Sequence, residues 1–161
     1  MPLPQLIEED LRVLDDALAT LLARCEASMA MLIDQAGFLI TQAGEVDQFD
    51  TTTLAALSAG SYAATQGMAS ITRETTFNSV YQQGEKHSLL IVNVDESCLI
   101  VVVFRASVGV GVVKYHTLAA ASTARLQLQV ARQRTPTASL DLAAMNLEDS
   151  CSFFRRKVNT T

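Results

Sequence analysis

A chain of 161 residues with a formal net charge of −5, 49% apolar residues and only 18% charged ones fits one domain with a tail, since domains cluster near about 100 to 150 residues. This balance excludes a nucleic-acid footprint, which needs Lys and Arg clustered on one face. The apolar surplus points to surface that meets a partner, most economically a second copy of the chain.

Cys25, Cys98 and Cys151 are odd in number and have no short pair spacing, so neither a disulfide framework nor a zinc knuckle is indicated and a reducing cytoplasm is expected. The N-terminus, MPLPQLIEEDL, carries acidic residues where a signal peptide needs a basic region. The longest apolar run, Cys98 to Phe104, falls far short of the roughly 20 residues that cross a bilayer. No membrane span is expected.

Leu6, Val13, Leu14, Ala17, Leu21 and Leu22 recur near helical spacing and predict a first helix over about residues 5 to 26. Glu8, Glu9 and Asp10 at its start and Arg24 at its end suit the macrodipole, and such carboxylates are expected to be solvated caps. SMAMLID and FLITQA, separated by Asp34 to Gly37, read as a β-hairpin. Asp50 and the three threonines after it offer N-caps for a second helix ending near Arg73.

That second helix carries two stripes. Placed at about 100° per residue, Leu54, Leu57, Ala64, Met68 and Ile71 share one sector with Ser61 between them, and this face is expected to enter the core. Ala56, Ala59, Gly60, Ala63 and Gly67 share an adjoining sector whose small side chains would let another helix or backbone approach closely. A helix-interior glycine costs about 0.5 to 1 kcal/mol relative to alanine. Packing on the helix's own sheet is one use for that sector and docking of a partner is another.

Residues Phe77 to Gln83 show a weak period of two, as in an edge strand with one polar side. His87 to Val94 and Cys98 to Phe104 are β-branched apolar runs joined by Asp95, Glu96 and Ser97, which predicts a second hairpin deep in the sheet. Val110, Val113, Thr117, Ala121, Ala124, Leu128 and Ala131 then predict a third long helix. The fold class is therefore α+β: a five-stranded antiparallel sheet sandwiched by helices in the order α-ββ-α-βββ-α. Beyond Arg134 the pattern breaks at Thr135, Pro136 and Thr137. A short amphipathic helix there would place Leu140, Ala143, Ala144, Leu147 and Cys151 near one face, followed by Phe153, Phe154 and the basic Arg155 to Lys157.

Reactive constellations are missing. His87 and His116 have no nucleophile or ligand at a motif spacing. Gly109 and Gly111 lack the lysine and the strand-loop-helix cradle of a phosphate loop. Cys98 sits in the most apolar strand, where burial raises a thiol's pKa, and the carboxylates of Glu8, Glu9, Asp10, Asp15 and Asp16 do not read as a metal site. An interaction module is expected rather than an enzyme.

LIDQAGFLITQAG, DTTTLAALSAGSYAATQGMASI, YQQGEKHSLLIVNVDESCLIVVVF and SVGVGVVK, in that order and spacing, resemble the Roadblock/dynein light chain family over about residues 5 to 133. The resemblance implies a homodimer in which the edge strand pairs with its copy to extend the sheet, with Phe77, Ser79, Val80 and Tyr81 at the dimer interface. It implies that the two second helices lie side by side as a platform for a Ras-like small GTPase. Ala63 and Gly67 match the contact face of such a platform, so Ala56, Ala59, Gly60, Ala63, Gly67 and Arg73 form the expected GTPase interface.

In that reading the protein activates the GTPase without a catalytic site, cofactor or metal of its own, since GTP and Mg²⁺ belong to the partner. The resemblance favours remodelling of the partner's own catalytic residues over an arginine finger, for which Arg73 is the first candidate and Arg105 a weaker one. It also implies cytoplasmic work in polarity or motility, with concentration at a cell pole. A scaffold that binds a GTPase or other proteins without stimulating hydrolysis is the alternative, and a profilin-like or longin-like ligand-binding domain a more distant one. Residues 1–133 would form the Roadblock domain and 134–161 a tail, flexible or a short amphipathic helix.

Overall fold

A computed structural model describes residues 2–134 of the protein; the tail from residue 135 onward, with the helix expected around Leu140 to Cys151, lies outside the described residues. The elements are α1 (Glu8–Cys25), β1 (Met29–Asp34), β2 (Leu39–Gly44), a single 3-10 turn (Val46–Gln48), α2 (Thr51–Thr72), β3 (Ser79–Gln83), β4 (His87–Asn93), β5 (Cys98–Arg105) and α3 (Val110–Arg134). This is the predicted α-ββ-α-βββ-α order. The strands form one antiparallel sheet in the order β2-β1-β5-β4-β3, which leaves β2 and β3 as its edges.

Alternation along the strands divides the core in two. Ala30, Leu32, Leu90, Val92, Ile100, Val102 and Phe104 face one side, where Leu14, Leu18 and Leu21 of α1 and Val113, Ala121, Ala124 and Leu128 of α3 cover them. Met29, Met31, Ile33, Ile91, Leu99, Val101 and Val103 face the other, beneath Ala55, Ala59 and Tyr62 of α2. β5 is buried on both faces from Cys98 to Phe104, as its continuous apolar run requires. The thiol of Cys98 is pushed up to about 11, first by burial, so it packs as an inert side chain.

Two ionic latches hold α3 in place. Asp10 was expected as a solvated cap, yet it is fully buried: it accepts the Ile7 N–H at 2.9 Å and bonds from Gln127 and Arg134 near the end of α3. Burial alone would raise the Asp10 carboxyl, but these bonds and the Arg134 charge outweigh it and hold the group below its ordinary value. At the β4–β5 turn Arg132 pairs with Asp95 at 2.8 Å and donates to Ser97 Oγ at 2.6 Å. Burial pushes Asp95 upward in the same way, and the bonds from Ser97 and Arg132 overcome it to hold this carboxyl low.

Differences from the sequence reading are mostly at element ends. α1 starts at Glu8 rather than residue 5, because Asp10 caps the backbone of Ile7. The edge strand starts at Ser79 rather than Phe77, because Phe77 lends its carbonyl to Gln66 Nε2 of α2 at 2.8 Å instead.

Candidate functional site

α2 begins where the threonine run predicts. Asp50 accepts the Thr53 N–H at 3.1 Å and its hydroxyl at 2.6 Å, which holds the Asp50 carboxyl below its ordinary value and offsets one orphan donor of the first turn. The helix ends at Arg73, a left-handed C-cap with φ 61° whose N–H reaches Ala69 O. Between these caps stand 22 residues without one charged side chain.

The two stripes of this helix are arranged differently from the sequence reading. The face on the sheet is Ala55, Ser58, Ala59, Tyr62 and Ala69, small residues that let α2 approach the strands, with one aromatic among them. The stripe expected in the core instead faces solvent: Leu57 is 67% exposed, Met68 54% and Ile71 82%, Ala64 is exposed as well, and Leu54 and Ser61 are half-buried. Periodicity located both stripes correctly relative to each other but rotated the helix the wrong way about its axis.

The small stripe divides as well. Ala59 is buried against the sheet and so is absent from the outer face. Ala56, Gly60, Ala63 and Gly67 are exposed, and a Cβ added at Gly60 or Gly67 would meet no atom within 4 Å. Those glycines are therefore not needed for packing inside the described residues, which removes the alternative that they fit the helix to its own sheet.

Contacts fix which flank is which. Ser61 receives Gln82 Nε2 of β3 at 3.4 Å, while Ala56 lies against Gly37 in the β1–β2 turn, where a Cβ would stand 2.8 Å from the Ala56 Cα. Helical geometry carries these flanks along the axis. Leu57, Ala64 and Met68 stand on the side of β3, Ala63 with Gly60 and Gly67 stand toward the side of Ala56, and Ile71 is on the crest. The larger apolar side chains thus overhang the free edge of the sheet, and the smooth strip lies beside them.

The edge itself is open. Asn93 donates to Asn78 O at 3.0 Å, so alternation makes 80 with 91 and 82 with 89 the bonded pairs of the β3–β4 ladder and turns the N–H and C=O of Ser79, Tyr81 and Gln83 outward. Val80 packs on the α2 side of the sheet. Tyr81 is on the other, stacked on Phe104 with ring centroids 6.3 Å apart. Phe77 is half-buried just before the strand, and Arg73 and Arg105 are both exposed at element ends.

The sequence reading missed Phe38, 72% exposed beside Gly37 and the Ala56 flank; its place at a turn tip after glycine was the available signal. A groove of about 420 Å³ between α1 and α3 is lined mainly by Val13, Ala17, Thr20, Ala119 and Thr123, with Asp16, Arg24 and His116 at its walls. Among the described residues no cluster of His, Cys, Asp or Glu has the arrangement of a metal site, and no helix is long and apolar enough to cross a membrane.

The sequence model of the Roadblock/LC7 domain matches residues 14–104, which is more than half of the chain and runs from α1 to the end of β5. A search among curated proteins finds no relative. Among solved structures the chain is similar to MglB of Myxococcus xanthus, at 28% identity and TM-score 0.73, with 79% of this chain and 96% of that one covered. It is similar to the gliding protein MglB of Thermus thermophilus, at 29% identity and TM-score 0.74 over 80% and 98% of the two chains. It also resembles a structure described as MglB with tetrameric arrangement, at 29% identity and TM-score 0.75 over 81% and 98%. By its sequence match and its five-stranded fold, the chain belongs to the Roadblock/LC7 domain family.

Proposed function

We propose that this protein is a homodimeric regulator of a Ras-like small GTPase of the MglA type and that it accelerates GTP hydrolysis by that partner. The observation that carries the reading is the uncharged outer face of α2, where exposed Leu57, Met68 and Ile71 adjoin a strip of Gly60, Ala63 and Gly67 that the fold itself leaves uncovered. Similarity to MglB structures over about four fifths of the chain supports it.

The two parts of that face suit two partners. Pairing of β3 with its copy would satisfy the outward backbone groups of Ser79, Tyr81 and Gln83 and bring the second α2 alongside the first, so that Leu57, Ala64 and Met68 are buried between them. Ala56, Gly60, Ala63 and Gly67 would remain on the outside of the helix pair as the GTPase platform, with Arg73 at its end. Ala59, being buried, supports that platform from below. GTP and Mg²⁺ belong to the GTPase, and the role of this protein is to set the partner's catalytic residues by docking. The working place in this reading is the cytoplasm, in control of polarity or motility.

Single-turnover GTP hydrolysis by the Ras-like GTPase of the same cell, with and without an excess of the purified protein, tests the reading. Acceleration of about tenfold or more is expected, on the scale by which transition-state contacts alter rates. Binding without acceleration would make the protein a scaffold, and neither binding nor acceleration would remove the GTPase from the account.

A further inference from the structure

The side of the sheet away from α2 is not fully covered. α1 packs on β1 and β2, and α3 on β4 and β5, which leaves the face of β3 on that side open. Tyr81 lies there, stacked on the ring of Phe104 and 41% exposed. Ser79 and Gln83 share its face by alternation. Opposite Gln83 in the ladder stands Ser88, only 2% exposed, whose Oγ finds no hydrogen-bond partner among the described residues. A buried hydroxyl left in that state marks an incomplete surface.

The far flank of α3 borders this open strip. Arg125 Nε donates to Val94 O at 2.6 Å, which turns that flank toward the end of β4. Lys114 and Leu118 lie on the same flank, about three and two turns earlier. At about 1.5 Å per helical residue and about 3.4 Å per strand residue, Leu118 stands level with Ile91 and Lys114 with Leu89. Leu118, 48% exposed, therefore overlooks Tyr81, the ladder partner of Leu90, with a cation to either side of it along α3. Neither α3 nor β3 contains an Asp or Glu. Asp95 is paired with Arg132, and Glu85 in the β3–β4 turn adjoins Lys86. A chain of net charge −5 thus presents a basic, partly apolar strip here.

We propose that two copies of this strip, joined by the β3 pairing on which the proposed function rests, form a channel for one acidic amphipathic helix of a partner protein. α3 sits over β4 and β5, so pairing of β3 with its copy sets the two α3 axes about four strand spacings apart, about 19 Å. Helices pack at about 8 to 10 Å between axes, which leaves room for one helix and no second. Its apolar stripe would meet Tyr81 and Leu118 of both copies. Because the two β3 strands would run antiparallel, Lys114 of one copy and Arg125 of the other stand at each end of the channel. The two ends are about 16 Å apart and suit carboxylates about three turns apart on the guest. An anionic membrane is the less suitable partner, since the strip is recessed between two helices and the acidic α1, with Glu8, Glu9, Asp15 and Asp16, stands beside each. The channel faces away from α2, so guest and GTPase can bind together.

Calorimetry on the full-length chain with a synthetic peptide of Leu, Ala and Glu, patterned as an amphipathic helix, tests this. Saturable binding of one peptide per two chains is expected, several-fold tighter than for the counterpart with Lys in place of Glu. Leu118→Glu and Lys114→Glu, both at exposed positions, should each weaken it several-fold and leave GTPase binding unchanged, and the Lys114→Glu effect should shrink at high salt. Sedimentation of the same sample separates the two readings. A dimer that binds no peptide, binds one per chain or is indifferent to Leu118→Glu overturns the channel alone, whereas a monomer removes the β3 pairing and the channel with it. Binding of phosphatidylglycerol vesicles that Leu118→Glu abolishes, with no peptide bound, would overturn the channel by making this face a membrane contact.

Discussion

Gly37 presses its Cα side against Ala56 so closely that a Cβ there would stand 2.8 Å from the Ala56 Cα, and its φ is +93°. The β1–β2 turn is thereby fitted to the first turns of α2. Gly37→Ala meets both a backbone clash and a left-handed conformation that costs about 1 to 3 kcal/mol in a residue with a side chain. A fall in Tm of several degrees is expected by circular dichroism. An unchanged Tm would mean that the turn is free to shift away from α2.

Gly60 and Gly67 make the opposite case, since open space surrounds both. Gly60→Ala and Gly67→Ala should each stabilise the chain by about 0.5 to 1 kcal/mol in chemical unfolding, the difference in helix propensity. Gly67→Arg should fold normally and lose GTPase binding, because a long charged side chain then stands on the smooth strip. If Gly67→Arg unfolds the protein, this part of α2 is internal in the assembled state. If it binds normally, the GTPase sits elsewhere.

How far the sequence was legible follows from the same helix. Asp50, Arg73 and the glycines marked its ends and its smooth strip, because caps and helix-interior glycines are local signals. The rotation of the helix was not legible: with no charged residue between Thr51 and Thr72, nothing marked the wet side, and the larger Leu57, Met68 and Ile71 looked more like core than Ala55, Ser58 and Ala59. The sheet selected the small residues, since these permit close approach of helix to strand. Asp10 was misread for a related reason. Its position in the first turn implied solvent, while its burial depends on Gln127 and Arg134, more than a hundred residues away. By contrast, α3 was read well: of the positions that predicted it, Val113, Thr117, Ala121, Ala124, Leu128 and Ala131 are buried and only Val110, at its first turn, is half-buried, because Lys114, Arg125, Gln129 and Gln133 stand exposed between the buried ones.

Asp10 and Asp95 give the fold a defined acid sensitivity. Both have their pKa lowered from 3.8 in the folded protein, so their contribution is complete above that ordinary value and is lost as the pH falls through the lower folded values. Asp10→Asn should destabilise the protein by about 1.5 to 3 kcal/mol at neutral pH, the range for hydrogen bonds to charged groups. The difference should shrink below pH 3.8, where Asp10 of the unfolded chain takes up a proton while the folded carboxyl still resists one. Urea unfolding at pH 7 and pH 3 measures both values, and an equal difference at the two would show that the carboxylate charge is unimportant.

The open edge separates two proline variants. Tyr81→Pro removes an N–H that points away from β4, whereas Val80→Pro removes one that the β3–β4 ladder uses. If the copies pair as proposed, Tyr81→Pro should therefore give a folded monomer in analytical ultracentrifugation and the unaltered chain a dimer. Val80→Pro should lower Tm as well. A Tyr81→Pro variant that remains dimeric would show that the copies meet without pairing β3.

Arg73 combines a backbone and a functional question. It holds φ 61° at the end of α2, a conformation that favours glycine, and among the described residues no carboxylate pairs with its guanidinium. Arg73→Gly should therefore raise stability by up to about 1 kcal/mol. If the protein acts by docking and remodelling, the stimulated single-turnover rate should stay within about threefold of the unaltered value. An arginine finger is worth about 10³ to 10⁵ in rate, so a loss on that scale, with binding intact, would move Arg73 from the rim of the platform into the transition state of the partner's reaction.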